Sequence, residues 1–402
     1  MRRPILRSVF ALASAVFLVV TPLSAQRGGK PVPRPKLRDV TDTNDAQAYY
    51  DAGLQRINND PDYAADAFYW AARINPGWGD PLYGRRAALL MQKRTLLNAY
   101  MADNYRSRGK ELSALDSLYA RALMLNPFLY RRLDRQLFIT WLTDGDRQAQ
   151  AEYAYEINTA IMRAPPATQA WYAYSNGNFP RALELYGRAI EQTRETAGLH
   201  IERARILGMR NEVESSVAEF QLALGELRQK DDKKLVVVYN SKALAEYSIA
   251  TLLEGAGDAK KARDAYGRAL QEDLSYYPAH MRLGLLALTE GDTTAAMSEL
   301  ALASDIATDD AYVHYLNGWV LGKAKHTAEA VTELKKATEL EPYYALPNLV
   351  LGAQYETLEK GPEAVAAYER FLALASQHDP QRTFASERVE DLKAFLNAPK
   401  TQ

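Results

Sequence analysis

Four stretches of this chain align at a spacing of 34 residues, and that period limits the possible folds more than any other feature. With residue 243 as the first of a unit, further units begin at 277, 311 and 345 without an insertion. The eighth position then holds Ala250, Gly284, Gly318 and Gly352. The twentieth holds Ala262, Ala296, Ala330 and Ala364, and the twenty-fourth Tyr266, Leu300, Leu334 and Tyr368. The twenty-seventh holds Ala269, Ala303, Ala337 and Phe371. Each unit carries two short amphipathic stretches joined by a polar turn such as "EGAGDAK" or "TEGDTTA". The phase extends back to units at 163 (Ala170, Ala182, Tyr186, Ala189) and 197 (Ala204, Ser216, Phe220, Ala223). A separate unit at 45–78 shows Ala52, Ala64, Phe68, Ala71 and Pro76.

Two antiparallel helices in close contact need small side chains where their backbones approach. Glycine inside a helix costs about 0.5–1 kcal/mol relative to alanine. Three glycines at one phase therefore point to a close approach that offsets the loss, with Tyr or Leu at position twenty-four filling the adjacent space. One hairpin cannot bury its apolar face alone, so neighbours stack. The pattern predicts an all-α fold, an α-solenoid of antiparallel helix pairs. It places divergent helical repeats over 45–163, two repeats over 164–242, four in-phase repeats over 243–378 and a capping helix over 379–397. In that last helix Val389, Leu392, Phe395 and Leu396 share one face. Helices are also expected over 80–103, 111–125, 128–142 and 146–163. Asp60-Pro61, Asn178 before Pro180, Gly361-Pro362 and Asp379-Pro380 mark helix starts, because Asp or Asn can cap free N–H groups and proline needs none. The one β-like run, "KLVVVYN" at 234–240, reads as the entry to a repeat.

At these residues the chain resembles the tetratricopeptide repeat family, which is small at positions eight, twenty and twenty-seven and bulky at twenty-four. Pro342 in "ATELEP" stands in the family's position thirty-two. The family's aromatic at position four is replaced by Glu246, His280, His314 and Asn348. The resemblance implies a superhelix whose first helices line a concave groove, with positions two, five, nine and twelve facing inward. The partner-binding residues so implied are Leu244, Tyr247, Met281, Leu285, Tyr312, Tyr315, Trp319 and Leu349. That apolar, aromatic groove suits a protein or peptide partner with apolar or aromatic segments. The lysine and asparagine with which some relatives clamp a terminal carboxylate are missing from positions five and nine, which argues against a chaperone-tail adaptor.

The first residues, "MRRPILRSVFALASAVFLVVTPLSAQ", begin with Arg2, Arg3 and Arg7. An uncharged run over 9–20 follows, then Pro22 and the small pair Ser24-Ala25. This is the layout of a secretory signal peptide over 1–25, and export to a periplasmic or extracellular address is expected. Residues 26–44 carry prolines at alternate positions and five basic side chains, and are expected to form an extended, solvated spacer. Membrane contact is expected only through the signal segment or this basic linker. Without residues 1–25 the chain has 46 basic and 50 acidic residues, a net charge of −4, which gives no electrostatic reason for nucleic acid binding.

The chain has no cysteine, which excludes disulfides, thiolate metal sites and cysteine nucleophiles. The histidines form no H-E-x-x-H pattern, and His280 and His314 read as polar helix-face residues rather than a metal pair. Asp60, Asp62 and Asp66 lack the glycine and terminal glutamate of a calcium loop. No nucleophile elbow, phosphate-binding loop or dinucleotide glycine pattern occurs. The expectation is a non-catalytic scaffold with no metal and no cofactor. The alternative is a glycan-binding or glycan-processing module, because Trp70, Trp78, Trp141 and Trp171 offer flat aromatic faces.

Overall fold

The computed structural model describes residues 32–38, 41–101, 105–152, 154–227 and 241–398. The signal segment 1–25, residues 26–31 of the linker and the 234–240 run lie outside the described residues. Among the described residues there are 21 helices and no strand, in repeated antiparallel pairs, so the fold is an all-α solenoid of helix hairpins.

The N-terminal helices are α1 (Ala46–Arg56), α2 (Pro61–Ile74), α3 (Asp80–Gln92), α4 (Arg94–Met101), α5 (Tyr105–Leu125), α6 (Asp134–Leu142), α7 (Arg147–Glu152) and α8 (Ala154–Met162). Six regular hairpins follow: α9 (Pro166–Ser175) with α10 (Phe179–Glu191), α11 (Ala197–Met209) with α12 (Val213–Glu226), α13 (Lys242–Gly255) with α14 (Ala259–Glu272), α15 (Tyr277–Thr289) with α16 (Thr293–Ile306), α17 (Ala311–Lys323) with α18 (Thr327–Leu340), and α19 (Leu346–Thr357) with α20 (Gly361–Leu374). Helix α21 (Arg382–Asn397) packs on α20.

One turn closes all six hairpins. Position fifteen of each unit is left-handed: Gly177 (φ 76°), Asn211 (60°), Gly257 (83°), Gly291 (84°), Lys325 (67°) and Glu359 (56°). The next residue donates its N–H to the carbonyl five residues back, at 2.9 Å in every hairpin, from Asn178 to Ala173 through Lys360 to Tyr355. This is a Schellman closure, which ends the first helix by satisfying its free carbonyls. In three hairpins the same residue also starts the second helix. Asn178, Asp258 and Asp292 accept the N–H groups of Arg181, Lys261 and Ala295 at 3.2, 3.1 and 2.9 Å.

Behind the turn, position eight rests on position twenty-four. A Cβ on Gly318 would lie 2.7 Å from Leu334 Cγ, and one on Gly284 would lie 2.8 Å from Leu300 Cγ. The alanines at position twenty (Ala262, Ala296, Ala330, Ala364) are fully buried. In two of the in-phase repeats position twenty-four is tyrosine, and its hydroxyl donates to a glutamate at position twelve: Tyr266 to Glu254 at 2.5 Å and Tyr368 to Glu356 at 2.7 Å. Where it is leucine, position twelve is Leu288 or Gly322 and no such bond is needed. Position four, which lacks the family aromatic, carries a polar clasp across the hairpin instead. His200, His280 and His314 each place Nδ1 2.6–2.7 Å from a glutamate at position twenty-three, namely Glu219, Glu299 and Glu333. These three histidines are buried and belong to separate ion pairs, one within each hairpin.

The chain divides into two compact units, with a boundary at Asp273/Leu274 inside the block of in-phase repeats. One unit comprises Gln55–Ala65 and Gly79–Asp273. The other joins the described residues up to Leu54 and Asp66–Trp78 to Leu274–Gln402. In this second unit the N-terminal residues engage the last repeats. The Asp42 carboxylate accepts the Ser376 hydroxyl at 2.7 Å and the Gln377 N–H at 2.6 Å, and Asn44 Nδ2 donates to the Ala373 carbonyl at 2.9 Å. Residues 32–44 therefore do not stand off as a solvated spacer where they are described. Asp42 is buried, and its hydrogen bonds lower its pKa although burial opposes them. The end helix also departs from expectation. Val389 is buried and Leu392 packs on the same cluster, but Phe395 is 77% exposed and Leu396 44%.

Candidate functional site

The eight residues assigned to a groove divide by environment. Leu244 and Tyr247, on α13, are buried in the first unit. The Tyr247 hydroxyl donates to the Met124 carbonyl at 3.1 Å and its ring lies 5.7 Å from that of Tyr266. Met281, on α15 in the second unit, is also buried. These three present no surface as the chain is folded. Leu285, Tyr312, Tyr315, Trp319 and Leu349 are half-buried, all in the second unit.

Helix α17 sets three of them on one stripe, because residues three and four apart share a helix face. The Tyr312 and Tyr315 rings stack 6.4 Å apart, and the Tyr315 ring meets Tyr344 edge-on at 5.2 Å. Burial pushes the Tyr315 hydroxyl up to about 12 and raises that of Tyr312. Tyr312 also closes on the N-terminal hairpin: a Cβ on Gly77 would come within 2.9 Å of its ring. Tyr315 packs on Leu334, Leu351 and Ala367, and Leu349 on the cluster around Ala364 and Tyr368. Trp319, half-buried, is the third member of the stripe. The Lys323 ammonium lies 6.0 Å from its ring centroid, and its indole N–H has no hydrogen-bond partner among the described residues. Nearby, an open pocket of about 520 Å³ is lined by residues including Met297, Asn317, Leu321, His326 and Glu333.

No spacing in the sequence points to the contacts that the N-terminal helices make with residues 341–343. Trp70 is 5% exposed and meets Tyr343 edge-on at 4.7 Å, while Arg73 forms a bidentate pair with Glu341 at 2.9–3.0 Å. These residues are 268 or more positions apart, and no periodicity links them. Of the other tryptophans considered as sugar platforms, Trp78 lies 4.7 Å from Tyr50, and Trp141 and Trp171 both pack on Phe138.

The first unit holds a polar core the sequence did not announce. Arg131 contacts Glu202 at 2.5 Å and Asp134 at 3.9 Å; Tyr83 donates to Asp134 at 2.8 Å, and the Tyr174 hydroxyl accepts the Arg131 N–H at 2.9 Å. Burial raises the Asp134 pKa in spite of Arg131. The charges and hydroxyls satisfy one another, so this arrangement fixes α3, α6, α9 and α11 rather than offering a reactive group. No group of three His, Cys, Asp or Glu side chains could hold a metal among the described residues, and no described helix is long and apolar enough to cross a membrane.

The tetratricopeptide repeat family matches residues 253–319 and 168–232, so the chain carries tetratricopeptide repeats there. Among solved structures, similar ones include YrrB, described as a TPR protein with an unusual peptide-binding site (22% identity, 52% of this chain and 100% of that one, TM-score 0.41). Another is the C-terminal part of a TPR repeat-containing protein from Cytophaga hutchinsonii (15% identity, 56% and 84%, TM-score 0.45). A third is MamA from Desulfovibrio magneticus RS-1 (18% identity, 44% and 94%, TM-score 0.38). No protein of curated function matches the chain. The repeats support a protein–protein interaction scaffold.

Proposed function

We propose that this protein is an exported, non-catalytic scaffold of the cell envelope that holds apolar or aromatic segments of partner proteins on the α17 face. The observation that carries this reading is Trp319, half-buried beside Tyr315 with its indole N–H unmatched among the described residues. Tryptophan and tyrosine dominate binding energy at protein interfaces. Tyr312 and Tyr344 brace the stripe from behind and the N-terminal hairpin covers its Tyr312 end, so the ligand surface is the Leu285–Tyr315–Trp319–Leu349 portion of the predicted groove. Export rests on the basic, apolar and small-residue order of residues 1–25. No observation favours the glycan reading.

A photo-crosslinking amino acid in place of Trp319, introduced in the native cell, tests the site. A discrete adduct is expected from position 319 and none from the exposed position Glu329 on α18. Trp319→Ala should weaken capture of that adduct's partner by about tenfold or more, the scale of one interface hot spot. Equal adducts from both positions would remove the site. Fractionation of the same cells tests export, and protein of full length in the cytoplasm would remove that part of the reading.

A further inference from the structure

The described part of the N-terminal segment is seated like a peptide ligand. Arg34 lies between Pro33 and Pro35 in an extended stretch without secondary structure. Its guanidinium carbon is 4.9 Å from the Trp70 ring centroid, 5.4 Å from Tyr49 and 5.9 Å from Tyr343. Arg34 Nε donates to the Tyr49 hydroxyl at 2.9 Å, and Nη2 donates to Asn44 Oδ1 at 3.2 Å and to the Thr43 carbonyl. The Trp70 indole N–H donates to the Pro33 carbonyl at 3.0 Å. A proline-set extended strand, one backbone carbonyl held by an indole and one side chain in an aromatic cage are the elements by which proline-rich peptides are recognised.

Two features distinguish this seat from a permanent strut. Among the described residues no carboxylate pairs with Arg34, so its charge is met only by ring faces and neutral acceptors. A second guanidinium, that of Arg73, already lies 4.6 Å from Tyr343 and 5.2 Å from Trp70, neutralised by Glu341. The cage is thus complete without Arg34, and Arg34 adds a like charge to rings that Arg73 shares.

We propose that Tyr49, Trp70, Tyr343 and Asn44 form a second binding site, for an extended partner-protein segment with an arginine between prolines, and that the chain's own residues 32–35 occupy it in cis. The site selects arginine over lysine because a planar guanidinium can stack on the rings while its N–H groups reach Tyr49 and Asn44 in the ring plane. The tethered segment acts at an effective concentration on the order of millimolar, so it holds off weak competitors and yields to a partner that adds contacts of its own. This proposal does not rest on the Trp319 surface.

The test is fluorescence anisotropy of labelled acetyl-KPVPRPKLR-amide titrated with the full chain. Arg34→Ala, which empties the cage, should bind the peptide at least tenfold more tightly than the wild type. A peptide with lysine in place of arginine should lose most of that gain. Adding Trp70→Ala or, if that variant does not fold, Tyr343→Ala should abolish binding, and adding Trp319→Ala should leave it unchanged. Equal affinity of wild type and Arg34→Ala, or no binding by an Arg34→Ala chain that keeps its helical circular dichroism, overturns the proposal. So does a stable heterodimer of Arg34→Ala with Trp70→Ala, which would assign the cage to a second copy of this chain.

Discussion

His314 Nδ1 lies 2.7 Å from Glu333 Oε2 while its Nε2 lies 2.9 Å from the Thr308 carbonyl oxygen, so both ring nitrogens face acceptors. His280 repeats the arrangement 34 residues earlier, with Glu299 at 2.7 Å and the Leu274 carbonyl at 3.3 Å. Only the imidazolium can donate from both nitrogens. The Glu299 bond raises the His280 pKa against the pull of burial. At His314 burial is the largest influence and lowers the pKa, yet Glu333 and the Thr308 carbonyl together raise it, with Lys336 opposing.

A histidine whose pKa is raised on folding stabilises the fold fully below its unfolded value, and that contribution disappears as pH rises through the folded value. The melting temperature should therefore fall as pH rises above the ordinary histidine value of about 6.5, beyond what the other groups produce. In Glu299→Gln/Glu333→Gln the fall should be shallower. Melts followed by circular dichroism at constant ionic strength check this, and parallel curves for the two proteins would rule out the clasp as its source.

Lys325 and Glu359 hold the left-handed turn position that glycine holds in three of the other hairpins. A side chain in that region costs about 1–2 kcal/mol, and glycine's extra unfolded freedom returns about 0.5–1 kcal/mol of the gain. Lys325→Gly and Glu359→Gly should each stabilise the chain by about 0.5–1 kcal/mol in urea titrations. Gly291→Ala should do the reverse although nothing lies within 4 Å of the added Cβ, because φ is 84°. A neutral Gly291→Ala would mean that the turn relaxes.

The repeat interior was legible because each rule there is local to one hairpin. Gly318 opposite Leu334 and Asn178 as a cap follow from spacing within about 20 residues of chain. Position four was not legible: His314 shows its role only when Glu333, nineteen residues on, is seen across the hairpin. The phase that placed Tyr247 and Tyr315 on equivalent faces could not say what covers each, and the structure covers them differently. Contacts such as Trp70 with Tyr343 join the N-terminal hairpin to the last repeats without any periodic trace. The unit boundary at Asp273 likewise interrupts nothing in the 34-residue phase.

Gly318 should resist even one methyl group, since its Cβ would meet Leu334 Cγ at 2.7 Å and the Ala330 carbonyl oxygen at 3.1 Å. Overpacking of this kind costs about 1–3 kcal/mol. Gly318→Ala should destabilise by that amount, and Gly318→Ala/Leu334→Ala by clearly less than the sum of the two single changes. The double-mutant cycle reads the contact directly. Additive losses would place the strain at the Ala330 carbonyl rather than at Leu334.

The polar core of the first unit makes a prediction about which of its carboxylates matters. Glu202 faces Arg131 at 2.5 Å where the arginine side chain is 10% exposed, and Arg205 stands 3.9 Å away. Removing one partner of a buried ion pair costs about 3–5 kcal/mol, because the other charge remains desolvated. Glu202→Leu should therefore lose stability on that scale. Asp134→Asn should lose much less. Its Oδ1 can still accept the Tyr83 hydroxyl, now at 2.8 Å, and its contact with Arg131 is already long at 3.9 Å. Burial also raises the Asp134 pKa, so at neutral pH ionised Asp134 works against the fold, an opposition that the amide removes. Urea titrations of the two variants should rank Glu202→Leu well below Asp134→Asn. The opposite rank would make Asp134, not Glu202, the main counter-ion of Arg131.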